Sequence, residues 1–278
     1  MPFVENLGAR IYWDEEGSGA PLLLIMGLGW ASHGWHRSRS ILSEKYRTIA
    51  LDNRGVGRSD APPGPYSIAQ MAADAAAVLN GARVNTAHIF GLSMGGMIAQ
   101  EFALQYPSKV RSLILGCTAA GGPQAVRASD KVLQVLMTRG QDADQFAKAI
   151  TPFIYDPGTP RERIEEDTVL RRKWYASTEA YSAQLQAVTA WEAYSRIAQI
   201  SAPTLVIHGE HDQLIPAENA KLIAGRIPGA KLTVLPNASH LFITDQPQAA
   251  HAAILEFLGV QATRKRTRPA PVPGGTLV

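Results

Sequence analysis

Apolar and polar positions change period repeatedly along the chain. Short runs rich in valine, isoleucine and leucine alternate with longer stretches in which apolar residues recur every three or four positions. The short runs predict strands over Phe3–Asn6, Arg10–Asp14, Pro21–Met26, Arg47–Asp52, Ala87–Phe90, Val110–Gly116, Thr204–His208 and Lys231–Leu235. The longer period predicts helices over about His36–Glu44, Ser67–Gly81, Gly95–Tyr106, Ala217–Arg226 and Gln246–Leu258, with Pro107 and Pro228 closing two of them. The first two strands flank "LGA" and predict an antiparallel hairpin. The remaining alternation of strand and helix predicts βαβ units, hence an α/β fold built on a mostly parallel eight-stranded sheet flanked by helices.

One interval breaks the rhythm. Between Cys117 and Pro203 no strand-like run occurs, although a βαβ unit needs only about 30 residues in all. The pattern there is helical, so residues 122–197 predict a helical cap inserted after the sixth strand, with the core formed by 1–121 and 198–260. The cap's large aromatics, Phe146, Phe153, Tyr155, Trp174, Tyr175, Tyr181, Trp191 and Tyr194, are expected to serve mainly as packing, because amphipathic helices must bury such side chains.

Composition narrows the class. An apolar content of 46% in 278 residues is ample for a buried core, and the longest nearly apolar stretch, Pro21–Ala31, is about half of a membrane span. No export signal is visible at the amino terminus, and the lone Cys117 suits a reducing cytoplasm. The net charge of +3 suggests a polyanionic partner until it is located. Residues 261–278, "QATRKRTRPAPVPGGTLV", hold four basic residues and no acidic one, so the rest of the chain is slightly acidic. That Pro-rich, like-charged tail is expected to be disordered and solvated, and neither a nucleic acid nor a membrane is expected as a partner.

The candidate chemistry centres on "HIFGLSMGGMIAQ", where a strand gives way to a helix at Ser93, between Gly91 and Gly95. A tight strand-to-helix turn forces its central residue into a strained conformation and admits only small residues two positions away. It also lifts the hydroxyl off the sheet edge, toward the free N–H groups that open the helix. A serine in that seat needs a base, and the base needs an orienting carboxylate. Asp212 follows the strand "TLVIHG" and His240 follows "KLTVLP", each at the carboxyl end of a parallel strand, where open α/β sheets build their sites. Glu210 is the rival acid but comes earlier in its loop, and His211 adjoins the acid too closely to accept from it. "HGEHD" has the look of a metal fragment, His208-x-x-His211, but no further ligand cluster accompanies it, so no metal is expected. Backbone donors for an oxyanion are expected from Met94, directly after the serine, and from Leu28 in "MGLGW", where Gly27 and Gly29 allow a sharp turn. A dinucleotide reading of Gly27-x-Gly29 lacks a third glycine and an opening helix, and no cofactor is expected.

With these residues placed, the chain resembles the α/β-hydrolase superfamily over about residues 1–260. The resemblance implies structural roles for Asp52, Arg54 and Gly57 in "LDNRGVGRSD", and Met26-Gly27 stands where many relatives have His-Gly. The segments "PPGPYSIAQMAADAAAVL" and "HIFGLSMGGMIAQ" are similar to those of small carboxylesterases and 3-oxoadipate enol-lactonases. The implied function is a serine carboxylesterase acting on a small-molecule ester, with enol-lactone hydrolysis, perhydrolysis, C–C bond hydrolysis or non-catalytic ligand binding on the same fold as alternatives. An enol-lactonase would need a desolvated cation for its substrate's carboxylate, from among Arg139, Arg171, Arg172 and Lys173. Adjacent basic residues in "LRRKWY" point in different directions and read as a solvated helix face, so neutral short-acyl esters are the expected substrates.

Overall fold

The computed structural model describes residues 2–138 and 143–266, without the side chains of Ala143 and of residues 262–266. Eight strands form one sheet: β1 (Phe3–Asn6), β2 (Ala9–Glu16), β3 (Ala20–Ile25), β4 (Tyr46–Leu51), β5 (Ala87–Leu92), β6 (Val110–Gly116), β7 (Thr204–Gly209) and β8 (Lys231–Leu235). Their order is β1-β2-β4-β3-β5-β6-β7-β8. β2 pairs antiparallel with both β1 and β4, and every other pairing is parallel. The hairpin joins Asn6 to Ala9 through Leu7 and Gly8, both at positive φ (46° and 74°), the backbone that a two-residue hairpin turn matching strand twist requires.

The central strands read as unbroken apolar runs because both of their faces are buried. On β3, Leu23 and Ile25 join a core cluster with α2 (Ile68–Gly81), α3 (Met94–Gln105) and α8 (Glu218–Arg226), while Leu22 and Leu24 face the cluster holding α1 (His36–Leu42), α9 (Phe242–Asp245) and α10 (Pro247–Arg266). Ser67 starts α2 in the manner of a helix cap, its hydroxyl accepting from Gln70 N–H at 3.0 Å. Under the first apolar cluster, the Arg54 guanidinium pairs with the buried Asp74 carboxylate through Nε (2.6 Å) and Nη2 (2.7 Å).

Between β6 and β7 the chain forms α4 (Asp130–Met137), α5 (Ala143–Ile154), α6 (Arg161–Arg172) and α7 (Thr178–Ala190). A short neck closes beneath them: Gly121 bridges Glu192, and Ala193 N–H donates to Ala120 O at 2.8 Å. Phe153, Tyr155, Tyr181 and Trp191 are buried, and the Trp191 indole N–H donates to Glu101 Oε2 at 2.9 Å.

The last helix differs from expectation. It continues to Arg266, past the predicted end at Leu258, so residues 261–266 extend a helix rather than opening a structureless tail. The sequence contains no helix breaker there until Pro269, and Gln261 is still buried against the body. Residues 267–278 lie outside the described residues. Among the described residues no helix is long and apolar enough to cross a membrane.

Candidate active site

Ser93 joins β5 to α3 at φ 59° and ψ −123°, a region a non-glycine residue enters only when its surroundings impose it. Those surroundings are specific. The Ser93 N–H donates to Gly116 O (2.8 Å), its carbonyl accepts from Thr118 Oγ1 (2.8 Å), and Gly96 N–H closes back on that carbonyl (2.8 Å). A Cβ on Gly91 would run into the Gly95 carbonyl, one on Gly95 into Ile25 O, and one on Gly96 would lie 2.6 Å from Thr118 Cβ. The glycines therefore let helix, strand and neighbouring loop meet at a distance no side chain permits, and the serine is held at the apex.

The structure brings Asp212 and His240 together. His240 Nδ1 lies 2.8 Å from Asp212 Oδ2, and both residues are buried. The other carboxylate oxygen accepts from the N–H groups of Leu214 and Ile215, each at 2.9 Å. Burial opposes the carboxylate's charge, but the His240 ring and hydrogen bonds from His208 and His240 outweigh it and hold Asp212 well below the usual carboxylate range. His208, placed in a strand by its sequence pattern, is an addition: its Nε2 lies 3.1 Å from Asp212 Oδ2 and 2.8 Å from Ile215 O. Glu210 is solvent-facing and 3.9 Å from His211, whose Nδ1 is instead 2.6 Å from Asp156. Among the described residues, the hydrogen bond at His240 Nδ1 is made with Asp212 and not with Glu210 or His211.

Cys117 lies beside this pair, its Sγ within 4.8 Å of ligand-type atoms of Asp212 and His240. Burial, reinforced by Asp212, pushes its thiol well up, and its sulfur accepts from Gly209 N–H (3.5 Å) while donating to Ser239 O (3.7 Å). With the carboxylate and the imidazole committed to each other and the thiol kept protonated, the three pack as one unit rather than as a set of open ligands.

The loop that delivers His240 is held by Asp245, whose Oδ2 accepts from Ser239 N–H (2.7 Å) and Oδ1 from Thr159 Oγ1 (2.6 Å). Burial raises the Asp245 carboxyl to about 6 against these hydrogen bonds. A raised acid binds its proton more tightly in the folded state, so its contribution to stability falls as pH rises from about 4 to about 6, by at most about 1.4 kcal/mol per pH unit. The stability of the wild-type chain relative to Asp245→Asn is therefore expected to decline between about pH 4.5 and 7 in urea titrations. A relative stability that instead rises over this range would show that the carboxyl is not held protonated.

The predicted oxyanion donors sit where the loop after β3 meets the elbow. A Cβ on Gly27 would lie 2.9 Å from Ser93 Cβ, so only glycine lets this loop approach the serine. Leu28 and Met94 both line the cavity beside Ser93, and among the described residues their N–H groups are not taken up by other hydrogen bonds. Asn53 Nδ2 holds Met26 O (2.9 Å) and Asp52 Oδ1 accepts from Ser32 N–H (2.7 Å), so "LDNRG" fixes the loop from beneath. From above, the fully buried Gln184 of α7 accepts from Gly29 N–H (2.9 Å) and donates to Arg54 O (2.8 Å). No sequence signal marked Gln184. Gln184→Leu would strand two buried backbone groups, each worth about 1–3 kcal/mol, and is expected to lower kcat by about 10-fold or more with little change in KM, because Leu28 N–H shifts with Gly29. Unaltered kcat in a destabilised variant would limit Gln184 to a packing role.

Ser93, His240, Leu28 and Met94 open on a cavity of about 370 Å³ between the sheet edge and the four inserted helices, walled largely by apolar side chains such as Met97, Leu133, Phe146, Ile150, Leu185 and Val188. Of the candidate cations, Arg172 is exposed and 2.6 Å from Asp144, and Lys173 is exposed, as a solvated helix face requires. Arg171 is different: it is buried and lines the cavity. Arg139 lies outside the described residues.

Comparison with known proteins agrees with this architecture. Residues 20–247 match the family model described as the alpha/beta hydrolase fold. The chain is 32% identical to the poly(3-hydroxyalkanoate) depolymerase of Ectopseudomonas oleovorans (92% of this chain, 90% of the relative) and 31% identical to 3-oxoadipate enol-lactonase 2 of Acinetobacter baylyi (84% and 86%). Among solved structures it superimposes on the esterase EaEST from Exiguobacterium antarcticum with a TM-score of 0.85 at 25% identity, covering 92% of this chain and 98% of that one. An eight-stranded sheet of this order, a strained serine at the end of β5 and a match over most of the chain make this protein a member of the α/β-hydrolase family.

Proposed function

We propose that the chain hydrolyses small-molecule carboxylic esters through an acyl-enzyme on Ser93. The observation that carries this reading is the convergence, on one apolar cavity, of a serine held at positive φ and a histidine hydrogen-bonded to a buried, ionised aspartate. His240 takes the Ser93 proton as the hydroxyl attacks the ester carbonyl, and Asp212 fixes the imidazole tautomer and stabilises its cationic form. Leu28 and Met94 N–H groups carry the developing oxyanion. His240 then protonates the leaving alcohol, and a water activated by the same imidazole cleaves the acyl-enzyme to free acid and serine. Ser93 and His240 line the same cavity without a direct hydrogen bond, a contact of the kind that tightens when a substrate fills the site. The enol-lactonase relative supports ring opening of a lactone by the same attack as a second reading.

The test pairs turnover with labelling. p-Nitrophenyl butyrate should be hydrolysed with an initial burst, and a fluorophosphonate should stop turnover while adding its mass to the peptide that contains Ser93. Labelling elsewhere, or no turnover of any ester or lactone in a panel, would refute the reading in favour of ligand binding without catalysis.

A further inference from the structure

We infer that the substrate carries a carboxylate and that Arg171 receives it, so the cavity is built for a monoanionic ester rather than a neutral one. This rests on the ester-hydrolase reading above and adds the substrate class to it. Arg171 is 4% exposed, and among the described residues its buried Nε and Nη2 have no hydrogen-bond partner. A buried cation left in that state is costly, and the cost is recovered when an anion fills the place.

The surroundings leave the guanidinium without an acid of its own. The acid one helical turn back, Asp167, is already committed: Oδ1 lies 3.2 Å from Arg37 Nε, and Oδ2 accepts from Tyr155 OH (3.1 Å) and Thr244 Oγ1 (2.7 Å). The Trp30 ring lies against the guanidinium, 4.7 Å from Cζ to the ring centroid, and both residues line the cavity. Nε and Nη2 form the same edge of the guanidinium, two parallel donors spaced for the two oxygens of a carboxylate. This chain uses that edge in that way elsewhere, in the Arg54–Asp74 pair. Arg171 is carried by α6 and Ser93 by the turn between β5 and α3, and both line the one cavity, so a single substrate can meet both. A carboxylate at the far end of a methylene chain from the ester fits this arrangement, and hydrolysis then releases a dicarboxylate and an alcohol.

The test compares mono(4-nitrophenyl) esters of succinic, glutaric and adipic acid with the 4-nitrophenyl alkanoates of matching length. At least one monoanionic ester is expected to exceed its neutral match in kcat/KM by about 10- to 100-fold, the value of a desolvated charge-assisted contact. Arg171→Met should erase that preference mainly through the KM of the anionic esters, and Arg171→Lys should restore part of it. If the neutral esters are cleaved as well as the anionic ones by the wild-type chain, the inference fails and the ester reading stands. A second measurement does not need turnover: Ser93→Ala protein titrated calorimetrically with monoethyl adipate and with diethyl adipate. Selective binding of the monoester, lost on adding Arg171→Met, supports the inference even if no ester is hydrolysed. Equal binding of the two, or binding of neither, overturns it.

Discussion

Ser93→Ala is expected to lower kcat for p-nitrophenyl butyrate by about 10⁵- to 10⁶-fold while leaving the melting temperature nearly unchanged. The two halves of this expectation have separate physical origins. Alanine keeps the Cβ that serine carries, so the strain at φ 59° is the same in both proteins, and the bonds that impose it run from the backbone of residue 93 to Gly116, Thr118 and Gly96. Ser93 lines the cavity, and the proposed mechanism draws on its hydroxyl for chemistry rather than packing. Nitrophenolate release, with the wild type standardised by burst amplitude, measures the loss. A variant that keeps more than about 1% of wild-type kcat would remove Ser93 from the nucleophile's role, since a true nucleophile's loss costs orders of magnitude more.

Asp212→Asn should lower kcat by about 10⁴-fold, the scale on which a triad's orienting acid acts in serine proteases. In the proposed mechanism the carboxylate, 2.8 Å from His240 Nδ1, accepts from Nδ1–H and leaves Nε2 free to take the serine proton. An asparagine that turns its amide toward the ring donates instead, places the imidazole proton on Nε2 and blocks that transfer. The paired control is Glu210→Gln, a solvent-facing change that should alter kcat by less than about twofold. If Glu210→Gln proved the more damaging, the acid would be wrongly assigned and the His208 and His240 contacts to Asp212 would need another explanation.

How much was legible in the sequence depends on whether a signal was local. The central parallel strands announced themselves because burial on both faces makes continuous apolar runs, and the elbow did so because its glycines flank Ser93 in one short motif, although the atoms Gly95 and Gly96 clear, Ile25 O and Thr118 Cβ, come from distant segments. Asp212 and His240 followed from strand ends and chain order. Gln184 carried no signal, His208 read only as a strand residue or part of a metal fragment, and Arg171 only as one of four candidate cations, for a common reason: the direction of each side chain is set by tertiary packing. "LRRKWY" says that one helix holds two adjacent arginines, but only the docking of α6 decides that Arg172 meets Asp144 at the surface while Arg171 turns under Trp30. His208 resembles any buried strand residue until the β7 loop folds Asp212 back onto it. The end of α10 was misplaced because one compositional label covered residues 261–278, although only those from Pro269 onward oppose a helix.

The neck at Ala120 and Ala193 has a topological meaning. Because the insertion leaves and re-enters the sheet where Ala193 N–H meets Ala120 O at 2.8 Å, the strands see two ends already joined and are indifferent to what lies between them. Length and sequence there can drift without disturbing strand order, which makes the insertion an exchangeable module in geometric terms. Gln184 sets the condition on that exchange. Its amide ties the module into the backbone network of the loop after β3 and the turn after β4, accepting from Gly29 and donating to Arg54. A lineage that swapped the module while keeping an amide in this place would alter the cavity wall and leave the loop after β3 and the Ser93 turn as they are, so wall and turn can vary along nearly independent coordinates.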